Sequence, residues 1–233
     1  MTTLLLHPIG LDRSTWDGVP IEDALAIDLP GHGDGGPLGR ISTLDDVADA
    51  VLDSLPELQP FDVVGVSLGG MTALHLALRH PDWVRSLVVA CAPAATPTEA
   101  LLGRAADTER AGMAGTIEVT IERWFSPAAI AADTGIVRTT RERLLADDPA
   151  TVARYWRILA EHDVRGRLRE LTMPVTVIAG AGDLSVPPAV ARELADGVPG
   201  AHYVELDGPH MLHLEAPEAF ATVVHEHVAR RDD

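Results

Sequence analysis

Val63-Val64-Gly65-Val66-Ser67-Leu68-Gly69-Gly70 joins two kinds of sequence. Before it, residues 61–66 form a β-branched apolar run that reads as a buried strand. After it, residues 68–80 read as a helix: Gly70, Ala73 and Ala77 give a small face for close packing, and Met71, Leu74 and Leu78 fill around it. Ser67 stands at the join, inside a Gly-x-Ser-x-Gly pattern. A tight strand-to-helix turn of this kind lifts a hydroxyl above the sheet edge and needs small residues on both sides. Ser67 is therefore the candidate nucleophile.

The flanking chain repeats the strand-then-helix rhythm. Residues 2–6 are a short apolar strand candidate running into His7-Pro8-Ile9-Gly10, and residues 24–29 are a second, leaving through Asp28-Leu29-Pro30-Gly31-His32-Gly33. Ser42 or Thr43 can cap a helix with the apolar stripe Leu44, Val47, Val51 and Leu55. Residues 85–92 are a fourth strand. Such alternation implies right-handed crossovers and a parallel sheet covered on both faces.

Between residues 94 and 171 the alternation stops. Helical patterns remain: Ile117, Ile121, Trp124 and Phe125 share one helix, and Val152, Tyr155, Ile158 and Leu159 another, with Asp148 as its N-cap and Pro149 at its first position. An insertion above the carboxyl ends of the strands reads as a helical lid, because ligands bind at that edge of such sheets. The expected organisation is a core of residues 1–93 and 172–233 with a lid of residues 94–171. Strand, loop and helix then resume: residues 174–179, the loop Gly180-Ala181-Gly182-Asp183, a helix near 188–196, a strand at 201–206, the loop Asp207-Gly208-Pro209-His210, and a closing helix carrying Phe220, Val223, Val224 and Val228.

The strand ends thus deliver His7, Ser67, Asp183 and His210 to one edge. A serine hydroxyl is a weak nucleophile near neutral pH and needs a base within hydrogen-bond reach and a third group to orient that base. Ser67, Asp183 and His210 fall in the order nucleophile, acid, base, each just after a strand. His213, three residues on, is the competing base and reads as a capping or packing residue. His32, between two glycines, reads as bonding within its own loop. His75, His80, His162, His202, His225 and His227 read as helix, strand or surface histidines. Asp28 is the rival acid, in a setting that looks structural. A tetrahedral intermediate needs two donors for its oxyanion. The backbone N–H of Leu68, at a helix start, is one candidate. The other belongs to the loop after the first strand, where Pro8 has no N–H and Ile9 is next.

Composition narrows the function further. The 233 residues carry a net charge of −17, and every basic residue other than histidine is arginine. That balance argues against nucleic acid and anionic membrane as partners, and the absence of lysine removes Schiff-base chemistry. The single cysteine, Cys91, excludes an intrachain disulfide and a cysteine-rich metal site, and reads as a buried small hydrophobe. No metal-ligand cluster, phosphate loop or dinucleotide fingerprint stands out, so no cofactor is expected. The apolar run of residues 4–6 is too short for a signal peptide or membrane span, which makes the cytoplasm the expected location.

With those residues in place, the chain resembles an α/β-hydrolase-fold serine hydrolase. The likeness is carried by His-Pro-Ile-Gly-Leu-Asp-x-Ser-x-Trp at 7–16, Asp-Leu-Pro-Gly-His-Gly at 28–33, Gly-Val-Ser-Leu-Gly-Gly at 65–70, Ala-Gly-Ala-Gly-Asp at 179–183 and Gly-Pro-His at 208–210. Within the lid, Glu122-Arg123-Trp124-Phe125-Ser126-Pro127, Asp147-Asp148-Pro149 and Asp163-Val164-Arg165 are similar to the 3-oxoadipate enol-lactonases. The resemblance implies a mostly parallel sheet of about six strands, with the family's N-terminal hairpin missing, and hydrolysis of a small ester or lactone through an acyl-enzyme. It suggests Arg123 for a substrate carboxylate and Trp124 for its apolar body. Other readings on the same triad are a general carboxylesterase or a carbon–carbon bond hydrolase; from another class, a non-catalytic ligand receptor. The usual His-Gly of the oxyanion loop is His7-Pro8 here, which stiffens the loop and leaves the Ile9 donor. The strand at 24–29 would form an open edge, met either by a compact variant of the fold or by a homodimer.

Overall fold

The computed structural model describes residues 2–55 and 59–231. Its elements run β1 (Thr3–Leu6), β2 (Ala24–Ile27), α1 (Leu44–Ser54), β3 (Phe61–Val66), α2 (Leu68–Arg79), β4 (Val84–Ala90), α3 (Thr98–Trp124), α4 (Pro127–Ala131), α5 (Gly135–Ala146), α6 (Pro149–Ala160), β5 (Val175–Gly180), α7 (Pro188–Gly197), β6 (His202–Leu206), α8 (Leu212–Glu215) and α9 (Pro217–Arg231). Six strands of the described residues form one sheet in the order β2-β1-β3-β4-β5-β6, every neighbouring pair parallel. This is the α/β-hydrolase architecture expected above, with β2 at an edge.

Strand periodicity sorts the core into two layers. Leu4, Leu6, Val63, Leu87, Val89 and Val177 face α1, α2 and α7, where Val47, Val51, Leu74 and Leu194 meet them. Leu5, Val64, Val66, Val88 and Ile178 face the other way, against Phe220 and Val224 of α9 and the indole of Trp16. Each such side chain contributes about 1.5–3 kcal/mol by leaving water. Thr43 caps α1 through a reciprocal box with Asp46, and Asp148 caps α6, accepting from the amides of Ala150 and Thr151.

Beside one-residue shifts at several ends, three departures from the sequence reading have a local reason each. β2 stops at Ile27 rather than at residue 29, because the Leu29 amide donates to His7 Nε2 at 2.9 Å instead of to a neighbouring strand. β4 stops at Ala90 because Cys91 adopts φ 50°, which no extended strand can contain. In α3, Gly112 at φ 64° and ψ −178° breaks the axis, so the 27-residue span is two helices end to end. Helices α3 to α6 all lie between β4 and β5 in sequence. The chain leaves and rejoins the sheet side by side: Val164 N–H donates to Ala94 O at 2.8 Å and Thr96 N–H to His162 O at 3.0 Å. Among the described residues no helix is long and apolar enough to cross a membrane.

Candidate active site

The turn from β3 into α2 is strained by construction. Ser67 sits at φ 55°, a conformation that costs a non-glycine residue of order 1–3 kcal/mol. Its neighbours must be bare. A Cβ on Gly65 would lie 2.2 Å from Gly69 O, and one on Gly69 would lie 2.1 Å from Leu6 O. The turn is held by Ser67 N–H donating to Ala90 O and Ser67 O accepting from Met71 N–H, both at 2.9 Å.

The loops after β5 and β6 bring the other two expected groups to that serine. His210 Nε2 is 3.0 Å from Ser67 Oγ, and His210 Nδ1 is 2.7 Å from Asp183 Oδ2. The second oxygen of Asp183 accepts from the amides of Ser185 and Val186 at 2.7 and 2.8 Å. An anionic Asp183 thus draws the imidazole proton to Nδ1, and the bare Nε2 faces the serine hydroxyl. Asp183 and His210 are buried, at 3% and 2% exposure, and Ser67 is 8% exposed. Cys91 sits directly behind, its sulfur, an Asp183 oxygen and a His210 nitrogen all within 4.8 Å of one another. Burial, reinforced by the Asp183 charge, pushes its thiol well above the ordinary value, so Cys91 stays a neutral thiol.

The rival groups have other duties. His213 is fully buried, with Nε2 3.0 Å from Thr15 Oγ1 and its ring against Trp16 and Phe220, which is a packing role. Asp28 accepts from the Arg13 amide and guanidinium and from the Asp34 amide. His162 and His227, the latter in α9, are buried: the first lies against Pro93 O at 3.0 Å, the second against Thr176 Oγ1 at 2.8 Å. His32 reaches beyond its own loop. Its Nδ1 faces Pro30 O, as a local role requires, but its Nε2 accepts from the Gly10 amide across the turn.

Ser67, His210 and Ile9 line one cavity of about 60 Å³, closed by Met71, Pro93, Leu101, Val186 and the ring of Trp124. Trp124 lies 6.3 Å, ring to ring, from His210, and its carbonyl accepts from the Met211 amide at 2.9 Å, tying the end of α3 to the histidine loop. A second cavity of about 180 Å³ lies under α3 and contains Arg123. The two share Ile9, Arg104, Trp124 and Trp156. Arg104 and Trp156 were not singled out by the sequence, although the arginine stacks 5.2 Å over the indole at this junction. Neither Arg104 nor Arg123 has a carboxylate partner among the described residues, and burial pulls the Arg123 guanidinium below its ordinary value. Asp107 also lines the larger cavity, and the Asp183 charge acts on Arg123 against the effect of its burial. Among the described residues the Ile9 amide meets no acceptor, and the Leu68 amide opens α2, where no intrahelical acceptor exists.

The chain belongs to the alpha/beta hydrolase family, whose model matches residues 3–223. Within it, the chain is similar to two kinds of enzyme. It is 34% identical over 247 residues to the pimeloyl-(acyl-carrier protein) methyl ester esterase of Methylococcus capsulatus, covering 97% of this chain and 94% of that one. It is 30% identical over 200 residues to 3-oxoadipate enol-lactonase 2 of Acinetobacter baylyi, covering 84% and 74%. The crystal structure of the enol-lactonase from Burkholderia xenovorans LB400 matches it with a TM-score of 0.90 at 26% identity, over 98% of this chain and 91% of that one. The expected likeness to enol-lactonases is therefore borne out, and methyl ester esterases stand beside them.

Proposed function

We propose that this protein is a serine hydrolase that cleaves a small carboxylic ester or lactone, with an enol-lactone bearing a carboxylate as the leading substrate. The observation that carries the reading is the hydrogen-bond chain from Ser67 through His210 to Asp183, at 3.0 and 2.7 Å, opening into a cavity. As the Ser67 oxygen bonds to the substrate carbonyl carbon, its proton passes to His210 Nε2. Asp183 steadies the resulting imidazolium, and the amides of Leu68 and Ile9 hold the oxyanion. When the carbon–oxygen bond of the leaving group breaks, His210 returns the proton to that oxygen. Water, deprotonated by the same nitrogen, then releases the acid from Ser67. Arg123, with Arg104 beside it, holds the substrate carboxylate, Trp124 packs its apolar body, and residues 94–171 serve as the lid that sets the volume.

The two adjoining cavities favour a short substrate with its charge displaced from the scissile bond. A panel of enol-lactone, nitrophenyl esters and a vinylogous diketone, run on wild type and Ser67→Ala, tests the proposal. Lactone and ester turnover lost in Ser67→Ala is the expected result. Full hydrolysis retained by Ser67→Ala would sink the mechanism. Failure of a serine-reactive phosphonate to label Ser67 would turn the reading toward a ligand receptor.

A further inference from the structure

The loop that follows β1 and the loop that follows β2 are stitched together by two imidazoles in a reciprocal pattern. A backbone amide can only donate, so each histidine's protonation is fixed by its neighbours. His32 Nε2 accepts from the Gly10 amide at 3.0 Å, which leaves the proton on Nδ1, facing Pro30 O at 3.3 Å. His7 mirrors it: Nε2 accepts from the Leu29 amide at 2.9 Å and Nδ1–H donates to Pro8 O at 2.7 Å. Each ring therefore donates within its own loop and accepts from the other. The rings meet edge to face with centroids 5.0 Å apart, and Tyr155 of α6 lies 4.8 Å from His32 while its hydroxyl donates to the same Pro30 O at 2.6 Å.

We propose that His32 is a positioning residue of the oxyanion hole, holding the Gly10 amide so that the adjoining Ile9 amide remains available to the oxyanion. The inference rests on the hydrolase reading above, since it presumes that the Ile9 amide has an oxyanion to bind. Gly10 has φ 72°, outside the range that a side chain would enforce, and among the described residues the other hydrogen bonds to the backbone of residues 8–11 both fall on Pro8 O, from His7 Nδ1–H at 2.7 Å and from Leu11 N–H at 3.3 Å. The His32 bond is thus the tie on the peptide between Ile9 and Gly10, while the other two hold the peptide between Pro8 and Ile9. Burial holds His32 well below the ordinary histidine value. Its facing groups are His7 and Arg143, which push the same way, Asp12, which opposes them, and the uncharged Tyr155.

His32→Phe fills the ring space without an acceptor, whereas His32→Gln keeps an oxygen that can accept from Gly10. On a neutral nitrophenyl ester, His32→Phe is expected to lower kcat by about 10- to 100-fold with KM within about threefold, because one misaligned oxyanion donor costs up to about 10²–10³. His32→Gln should recover most of that loss. A folded His32→Phe with wild-type kcat, a change confined to KM, or equal losses in both variants overturns the proposal. Nitrogen-15 NMR of the wild type at neutral pH gives a readout that survives misfolding of the variants: an unprotonated His32 Nε2 is expected, and a protonated one overturns the proposal. Phosphonate labelling of Ser67 in the wild type reads the hydrolase assignment separately, so failure of one is distinguishable from failure of the other.

Discussion

Asp183 spends its two oxygens differently. Oδ1 fixes its own loop through the amides of Ser185 and Val186, while Oδ2 faces His210 Nδ1. Asn at this position can keep its carbonyl oxygen on the two amides but then presents an NH₂ to the imidazole, which forces the proton to Nε2 and removes the base. Asp183→Asn should therefore fold with nearly unchanged thermal stability and lose about 10³–10⁴ in kcat, as steady-state kinetics beside a thermal melt would read. Comparable losses of stability and activity would mean that the loop, not the proton, is what Asp183 controls.

The elements succeed or fail on backbone conformation at a few points. At the elbow, Gly65 and Gly69 are demanded by backbone contact, since the oxygens that a Cβ would meet belong to the main chain and cannot swing aside. Gly112 is a different case. Among the described residues nothing lies within 4 Å of a Cβ built there, so the constraint is its φ of 64°. Gly112→Ala should cost about 1–3 kcal/mol from positive-φ strain alone. Urea denaturation measures that loss, and an unchanged or raised midpoint would mean that α3 straightens through the break. Because the end of α3 is bonded to Met211 and Ser126 is bonded to Glu215 of α8, such straightening would also be felt beside His210.

Across the whole molecule, the buried imidazoles set the response to acid. Burial lowers His7 and His162 to about 4 and His213 to about 3, and holds His32 well below its ordinary value. The unfolded chain takes up these protons near pH 6.5 and the folded chain does not, so the unfolded state is favoured as pH falls. Each of these histidines should remove about 1.4 kcal/mol per pH unit below about 6.5 until its folded value is reached. Urea midpoints should therefore drop steeply between pH 6.5 and 4, while the −17 charge of the neutral-pH molecule diminishes as carboxylates protonate and its self-repulsion eases. A midpoint flat over that range would mean that the imidazoles are hydrated in solution.

Much of this architecture is local and was readable in one dimension. Runs such as residues 61–66 and 174–179 name strands because β-branched apolar residues suit a sheet buried on both faces, and Gly65-Val66-Ser67-Leu68-Gly69 names the turn because only small residues fit it. The order of Ser67, Asp183 and His210 could be read because each follows a strand, and parallel strands bring their carboxyl ends to one edge. What periodicity does not carry is contact through space. The bond from Gly10 to His32, the Arg104–Trp156 stack at the junction of two cavities and the thiol of Cys91 behind Asp183 all join residues whose separation in sequence has no pattern. Gly112 gave no warning either, since an isolated glycine in a helical run is tolerated as readily as it breaks one. The chemistry offered at the sheet edge follows from the chain order. The space and charge offered to a substrate follow from how α3 and α6 pack above it.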